Sequence, residues 1–153
     1  MHTPRVNIGK GAPAVYKTMA ALDSEVRQHA ASAGLEAALM ELVKIRVSQI
    51  NGCAFCLQLH TREAVAIGED PTRLAVLPAW EETNWFSARE RAALRLAEAV
   101  TLVADGQVPD EVYGQVAEVL TEAEIAAVAW VTIVINAYNR IAITSRYPVG
   151  PTS

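Results

Sequence analysis

Cysteine and histidine are scarce in this chain, which has two cysteines and three histidines among 153 residues. So few cysteines exclude a small domain that depends on a network of disulfides. A chain of this length needs no such network, because it can bury a full hydrophobic core. Hydrophobic residues make up 52% of the chain and charged residues 20%, which excludes a disordered protein and indicates a globular one.

An excess of basic charge, a long apolar run and a signal peptide are also missing. The net charge is −4 at pH 7 without a clustered basic stripe, so we expect no nucleic-acid partner. The longest apolar run, Ile125 to Ile135, is about half the length of a membrane span, and the first residues lack a signal peptide's apolar centre. We therefore expect no membrane partner and a cytoplasmic location, where two nearby cysteines are more often catalytic or metal-binding than structural.

Helical periodicity runs through most of the chain, and no stretch alternates at the strand period for any length. The sequence therefore predicts an all-α fold, a single-domain helical bundle of about six to seven helices. Capping boxes begin at Ser87 and Thr121, and Asp70 before Pro71 is a further helix-start signal.

The domain should span 1–153, with its core at about 13–146 between short arms. The first ten or so residues are expected to form a loose or partner-bound arm, and the tail from Tyr147 to be non-helical. The predicted helices are approximately 13–32, 35–50, 53–67, 71–77, 87–104, 109–120 and 121–144.

Large rings are concentrated in residues 78–86, which hold Trp80, Trp85 and Phe86 and are predicted to form a loop. Such rings favour a place in the core or in an interface, and a lid over an apolar pocket is the alternative. The chain also has more apolar surface than one bundle needs, which favours a homo-oligomer.

The two cysteines form a C-x-x-C motif at Cys53 and Cys56, and His60 follows one helical turn later. An Asn-Gly pair directly before the motif is a helix-break signal, so we expect Cys53 to open a helix. At about 100° per residue, both sulfurs and the imidazole would share one face of that helix. The positive end of the helix favours thiolate, and a nearby imidazole can take the thiol proton. The motif therefore predicts a redox dithiol.

Glu41 lies on the preceding predicted helix, where its carboxylate would orient or charge His60 if the two helices fold back on each other. Helix-end electrostatics favour Cys53 as the attacking thiol, whereas the i, i+4 spacing to His60 favours Cys56, to which we lean.

Other interpretations stay open at this point. The cysteines and His60 would bind zinc if Glu41 or a partner chain supplied a fourth ligand. The cysteines would otherwise be small core residues, and Glu41 a solvated helix residue.

The spacing Glu, eleven residues, Cys-x-x-Cys, three residues, His, in the context INGCAFCLQLHTREA, resembles the alkylhydroperoxidase D-like (AhpD-like) branch of the carboxymuconolactone decarboxylase superfamily. The segments FSARERAALRLAEAVT, VPDEVY and INAYNRIAI are similar to the same family, so the resemblance covers about 35–143. It implies an all-helical subunit, assembled as a trimer or hexamer, that needs neither haem nor flavin. It also implies that Cys53 and Cys56 are the redox pair, with His60 and Glu41 as their proton relay. The best-known peroxidase of the family has a histidine where this chain has Phe55.

Residues and resemblance together predict a thiol-dependent peroxidase or disulfide oxidoreductase that reduces hydroperoxides through a dithiol/disulfide cycle. A lipoyl- or thioredoxin-like dithiol donor would recycle the pair, and no cofactor or metal is expected. One alternative is a lactone decarboxylase of the wider superfamily, although decarboxylation has no need of a dithiol. The other is a non-enzymatic helical assembly that senses redox state or binds zinc.

Overall fold

The structure is a computed structural model that describes residues 3–151. Within these residues it contains eight α-helices and one 3-10 helix, without a β-strand, so the all-α prediction is confirmed. The α-helices are α1 (Ile8–Gly11), α2 (Pro13–Ser32), α3 (Ala37–Asn51), α4 (Ala54–Ala66), α5 (Pro71–Val76), α6 (Ala88–Thr101), α7 (Asp110–Ala117) and α8 (Glu122–Ser145). The 3-10 helix, Leu77–Glu82, lies between α5 and α6.

Side-chain caps fix where several helices begin. Ser87 and Thr121 form the predicted capping boxes. The hydroxyl of each accepts a hydrogen bond from the backbone N–H of a glutamate three residues later, and the carboxylate of that glutamate accepts one from the backbone N–H of the capping residue. Asp70 caps α5 ahead of Pro71, also as predicted. The helix ends are less regular, because α6 stops at Thr101 and the chain then turns through Gly106, whose φ is 95°. The sequence predicts this helix to continue to about 104, three residues too far.

The N-terminal segment is not the loose arm that the sequence suggests. α1 forms one helical turn, and its first backbone N–H, at Ile8, donates to Ser145 Oγ at 3.1 Å. Arg5 donates to the carbonyl oxygen of Thr144 at 3.4 Å. These bonds hold the segment against the end of α8, while residues 1–2 of the predicted arm lie outside the described residues. The tail from Tyr147 to Pro151 is non-helical, as predicted.

The aromatic stretch at 78–86 belongs to the core rather than to a loop over a pocket. Part of it forms the 3-10 helix, in which Trp80 is buried and donates through Nε1 to Glu98 Oε1 at 2.8 Å. Phe86 is also buried, in the same apolar cluster as Trp80. Trp85 alone of the three rings is exposed. The core interpretation therefore holds for Trp80 and Phe86.

α3 and α8 pack against each other at the centre of the main core, with α2 and α6 beside them. A polar network crosses this contact, in which the Asn51 side-chain amide donates to Asn136 Oδ1 at 2.9 Å and to Asn139 Oδ1 at 3.0 Å. Asn139 in turn donates to Ser48 Oγ at 3.0 Å and is fully buried. Because buried amides need partners, this network fixes the last turn of α3 against α8.

α8 is, by length and composition, apolar enough to cross a membrane, and it is the one described helix that meets this criterion. Half of its most apolar 18-residue window is buried inside the protein, where it contacts α2, α3 and α6. Those are the surroundings of a core helix. Charged and polar residues divide the rest of this helix into shorter apolar runs, so its longest apolar run is only about half the length of a membrane span.

Candidate functional site

A helical hairpin formed by α3 and α4 carries the four residues that the sequence singles out. α3 ends at Asn51, and Gly52 adopts a φ of 68°, a left-handed conformation that glycine tolerates best. The chain then reverses, so that Cys53 becomes the N-cap of α4. Its Sγ accepts a hydrogen bond from the Cys56 backbone N–H at 3.3 Å. The helix break before the motif and the helix start at Cys53 are therefore as predicted.

Cys53 and Cys56 are joined by a disulfide, with their Cα atoms 5.3 Å apart. Both are buried, with 1% and 3% of their surface exposed respectively. They differ in what they face, because Cys56 lines a cavity of about 170 Å³ and Cys53 is not among its lining residues. A small molecule in the cavity would therefore reach the Cys56 sulfur first.

His60 and Glu41 are brought together as predicted, although they lie on different helices. His60 Nδ1 is 3.0 Å from Glu41 Oε2 and 3.0 Å from Glu63 Oε2. Since ionised carboxylates only accept hydrogen bonds, Nδ1 carries a proton and donates it to them, which leaves Nε2 as the ring nitrogen that can exchange a proton. His60 also lines the cavity, one helical turn after Cys56. The arrangement can hold a proton acceptor beside that sulfur.

Glu41 is a buried carboxylate with two hydrogen-bonding partners. Its Oε1 accepts from Lys44 Nζ at 3.1 Å, and only 8% of Glu41 and 9% of Lys44 are exposed. Burial raises the pKa of Glu41, but the hydrogen bond from His60 and the charge of Lys44 outweigh it and leave the pKa below its usual value. Glu41 is thus not a solvated helix residue. Sequence reasoning missed Lys44, and its i, i+3 spacing from Glu41 is the signal that could have found it.

Aromatic side chains from distant parts of the chain form the outer wall of the cavity. Tyr16 comes from α2, Tyr138 from α8, Tyr147 from the tail and Phe55 from the C-x-x-C motif. The Phe55 and Tyr147 rings meet edge to face with centroids 5.0 Å apart, and those of Tyr16 and Tyr138 are 6.5 Å apart. Burial is the main cause that raises the pKa of Tyr138 and of Tyr147, so their hydroxyls stay protonated at neutral pH. Sequence spacing could not reveal these tyrosines, because only the tertiary fold brings them together.

A second contact holds the tail over this wall. The Gln58 side-chain amide of α4 donates to the Gly150 carbonyl oxygen at 2.8 Å. Phe55 stands where the best-known peroxidase of the family that the motif resembles has a relay histidine. In this chain the Phe55 ring packs on Tyr147 of the tail instead.

Glu41, His60 and Glu63 are the group of described residues whose side chains could hold a metal ion, with ligand atoms within 4.8 Å of one another. Lys44 already contacts the carboxylate of Glu41, and its positive charge opposes a second cation there. The cysteine sulfurs are bonded to each other in this structure and do not complete a zinc site with His60.

Three comparisons relate this chain to known proteins. A sequence profile of the carboxymuconolactone decarboxylase family matches residues 13–99. The uncharacterized protein YdfG of Bacillus subtilis (strain 168) is 39% identical over 139 residues, which are 91% of this chain and 92% of YdfG. The crystal structure of ATU0492 from Agrobacterium tumefaciens is 33% identical, with a TM-score of 0.87, and covers 97% of this chain and 100% of that one. ATU0492 is a protein of unknown function whose suggested identity is the antioxidant defence protein AhpD. The resemblance inferred from the motifs is confirmed.

Proposed function

This chain belongs to the carboxymuconolactone decarboxylase family, and we propose that it is a thiol-dependent peroxidase that reduces hydroperoxides through Cys53 and Cys56. The family is enzymatic in general. The observation that carries the proposal is the cavity in which Cys56 and His60 lie together, with Glu41 hydrogen-bonded to His60. The suggested identity of ATU0492 as an antioxidant defence protein supports the same activity.

The cycle starts with the disulfide of this structure, which a dithiol donor must open. One donor thiolate attacks a sulfur of the pair to form a mixed disulfide, and the second donor thiol then releases the reduced protein and an oxidised donor. The donor loses two electrons and two protons, and Cys53 and Cys56 gain them as two thiols. Because both sulfurs are buried, a slender dithiol of the lipoyl type fits better than direct contact with a thioredoxin-like protein.

The peroxide step uses Cys56 as the attacking sulfur. His60 Nε2 takes the Cys56 proton, and the thiolate attacks the outer oxygen of the hydroperoxide, so that an S–O bond forms and the O–O bond breaks. The sulfur is oxidised to sulfenic acid, and the leaving alkoxide receives the proton from His60 and departs as an alcohol. Cys53 then attacks the sulfenic sulfur, which releases water and restores the disulfide.

Glu41 acts through His60 in this scheme and does not touch the substrate. Its ionised carboxylate holds Nδ1–H, so that Nε2 is the nitrogen that exchanges the proton, and it stabilises the imidazolium that forms. Glu63 contacts the same Nδ1 from a more exposed position.

A thiol count tests the proposal. Reduced, chelator-treated protein receives one equivalent of tert-butyl hydroperoxide, beside Cys53→Ser and Cys56→Ser, with zinc measured in an untreated sample. We expect the wild type to lose both thiols together and to recover them with a dithiol. We expect Cys53→Ser to form a sulfenic acid and Cys56→Ser to form none. Survival of both wild-type thiols together with stoichiometric zinc would contradict a catalytic role.

The family description also names a decarboxylase, and lactone decarboxylation is therefore the second candidate function. It has no need of two thiols. Lactone turnover that survives in a Cys53→Ser, Cys56→Ser double variant would favour it over the peroxidase.

We also propose that the protein acts as a homo-oligomer. Trp130 and Ile133 are 46% and 44% exposed on the outer face of α8, next to each other along the helix. Large apolar side chains on an uncovered helix face are typical of subunit contacts. Light scattering on purified protein tests the proposal, with a trimer or hexamer expected and a monomer contradicting it.

A further inference from the structure

We propose that Lys44 is a positioning residue of this site, whose ammonium group holds Glu41 against His60 and supplies positive charge for the thiolate of Cys56. The inference rests on the proposed thiol chemistry of Cys56 and adds a residue that the spacing of the motif does not contain. Lys44 lies on α3, three residues after Glu41, and lines the same cavity as Cys56 and His60.

A lysine as buried as Lys44 costs free energy unless its charge serves a partner. Its Nζ is 3.1 Å from Glu41 Oε1, while the other oxygen of that carboxylate, Oε2, is 3.0 Å from His60 Nδ1. Glu41 is therefore held at both oxygens, which fixes the plane of the carboxylate and aims Oε2 at the imidazole. Loss of Lys44 would free the carboxylate to rotate and leave half of it buried without a partner.

The charged groups in and beside the cavity come from α2, α3 and α4. α2 contributes Asp23 and Arg27, which form an ion pair with each other. Glu41 of α3 and Glu63 of α4 contribute two carboxylates that share His60 Nδ1. The tyrosines of α2, α8 and the tail add hydroxyls, and those of Tyr138 and Tyr147 stay protonated at neutral pH.

Lys44 is thus the cation that pairs with Glu41 and offsets one of the two carboxylate charges. Without it, a thiolate at Cys56 would form beside two negative charges, and a negative neighbour disfavours a further negative charge. The two effects of Lys44 act in the same direction. The charge of Lys44 favours the thiolate directly. Its ion pair with Glu41 also offsets a carboxylate charge that would disfavour the thiolate.

The test is the pH dependence of Cys56 alkylation in a Cys53→Ser background, where one thiol remains. Reduced protein is treated with iodoacetamide across the pH range, and the rate at each pH is read from the intact mass. We expect Lys44→Met to move the midpoint of the profile upward by about one pH unit. Lys44→Arg, which keeps the charge, should leave the midpoint close to the wild-type value. Lys17→Met removes the same charge from an exposed position on α2 and should leave the midpoint unchanged.

An unchanged midpoint in Lys44→Met would overturn the proposal, and so would an equal loss of rate at every pH, since that is the result of a purely structural role. Should Lys44→Met not fold, Lys44→Gln is judged by the same midpoint, because its amide can still bond Glu41 without a charge. Hydroperoxide takes no part in this assay. A shifted midpoint in a protein that does not reduce hydroperoxide would contradict the proposed function and support the role of Lys44.

Discussion

Glu41 is an acid that folding places in the protein interior and keeps ionised. Its carboxylate lies between the Lys44 ammonium and the His60 imidazole, and these partners lower its pKa against the opposing effect of burial. An acid whose pKa is lower in the folded than in the unfolded protein stabilises the fold above the unfolded value. That stabilisation is lost as the pH falls through the folded pKa. The site therefore contributes to the pH range in which the protein is stable.

Replacement of Glu41 tests this link. We expect the free energy of unfolding of the wild type to fall as the pH drops below the ordinary glutamate value of 4.5, and we expect a shallower fall in Glu41→Gln. Urea unfolding between about pH 3 and pH 6 measures both slopes. Glu25→Gln, at an exposed position on α2, serves as the control. A Glu41→Gln slope equal to that of the wild type would contradict the prediction.

The sequence could predict Glu41, Cys56 and His60 as neighbours because their relation is nearly local. Cys56 and His60 are one turn apart on a single helix, and Glu41 needs only one reversal of the chain to reach them. Lys44 and the tyrosine wall could not be predicted in the same way. Whether a lysine beside an acid is buried, and which tyrosines meet, depends on packing between α2, α3 and α8.

At the scale of the helices, the starts were better predicted than the ends. A capping box places an acceptor and a donor within four residues, so the starts of α6 and α8 can be predicted from the local sequence at Ser87 and Thr121. α6 and α7 end earlier than their apolar pattern suggests, at Thr101 and Ala117. α1 escaped prediction because its position depends on a bond to Ser145, at the far end of the chain.

The Thr121 cap is expected to matter more than its exposed position suggests, because it starts the helix at the centre of the core. We expect Thr121→Ala to lower the free energy of unfolding by about 1 kcal/mol, through loss of the bond to the Glu124 N–H. Chemical denaturation measures the change. Thr18→Ala is the matched control, since the Thr18 hydroxyl bonds a carbonyl inside α2 and caps no helix. An equal or larger loss in the control would show that the cap has no special effect.

At the scale of the whole molecule, the two ends of the described chain meet near the end of α8, and the C-terminal tail continues from there to the site. The segment around α1 bonds the end of α8, and the tail beyond α8 packs Tyr147 on Phe55 and bonds Gln58. The tail therefore covers the cavity beside the α3–α4 hairpin, and the N-terminal segment holds the end of α8 from which the tail starts. We expect this cover to restrict access to the disulfide.

Removal of the Tyr147 ring tests the cover. We expect Tyr147→Ala to speed reduction of the disulfide by dithiothreitol several-fold, because the edge-to-face contact with Phe55 is lost and the cavity widens. Thiol release against time measures the rate. Tyr113→Ala removes an exposed ring of α7 outside this cavity and should leave the rate unchanged. Identical rates in Tyr147→Ala and the wild type would contradict the prediction.

The hairpin that holds the site also has a consequence for how the protein acquires it. The contact between His60 and Glu41 spans 19 residues of sequence, whereas Gln58 and Gly150 lie 92 residues apart. Short loops close faster than long ones during folding, so the reactive groups can assemble on a growing chain well before their cover exists. A nascent chain would then expose Cys53, Cys56 and His60 to its surroundings before their cover forms, and the order of folding would set how long oxidants can reach them.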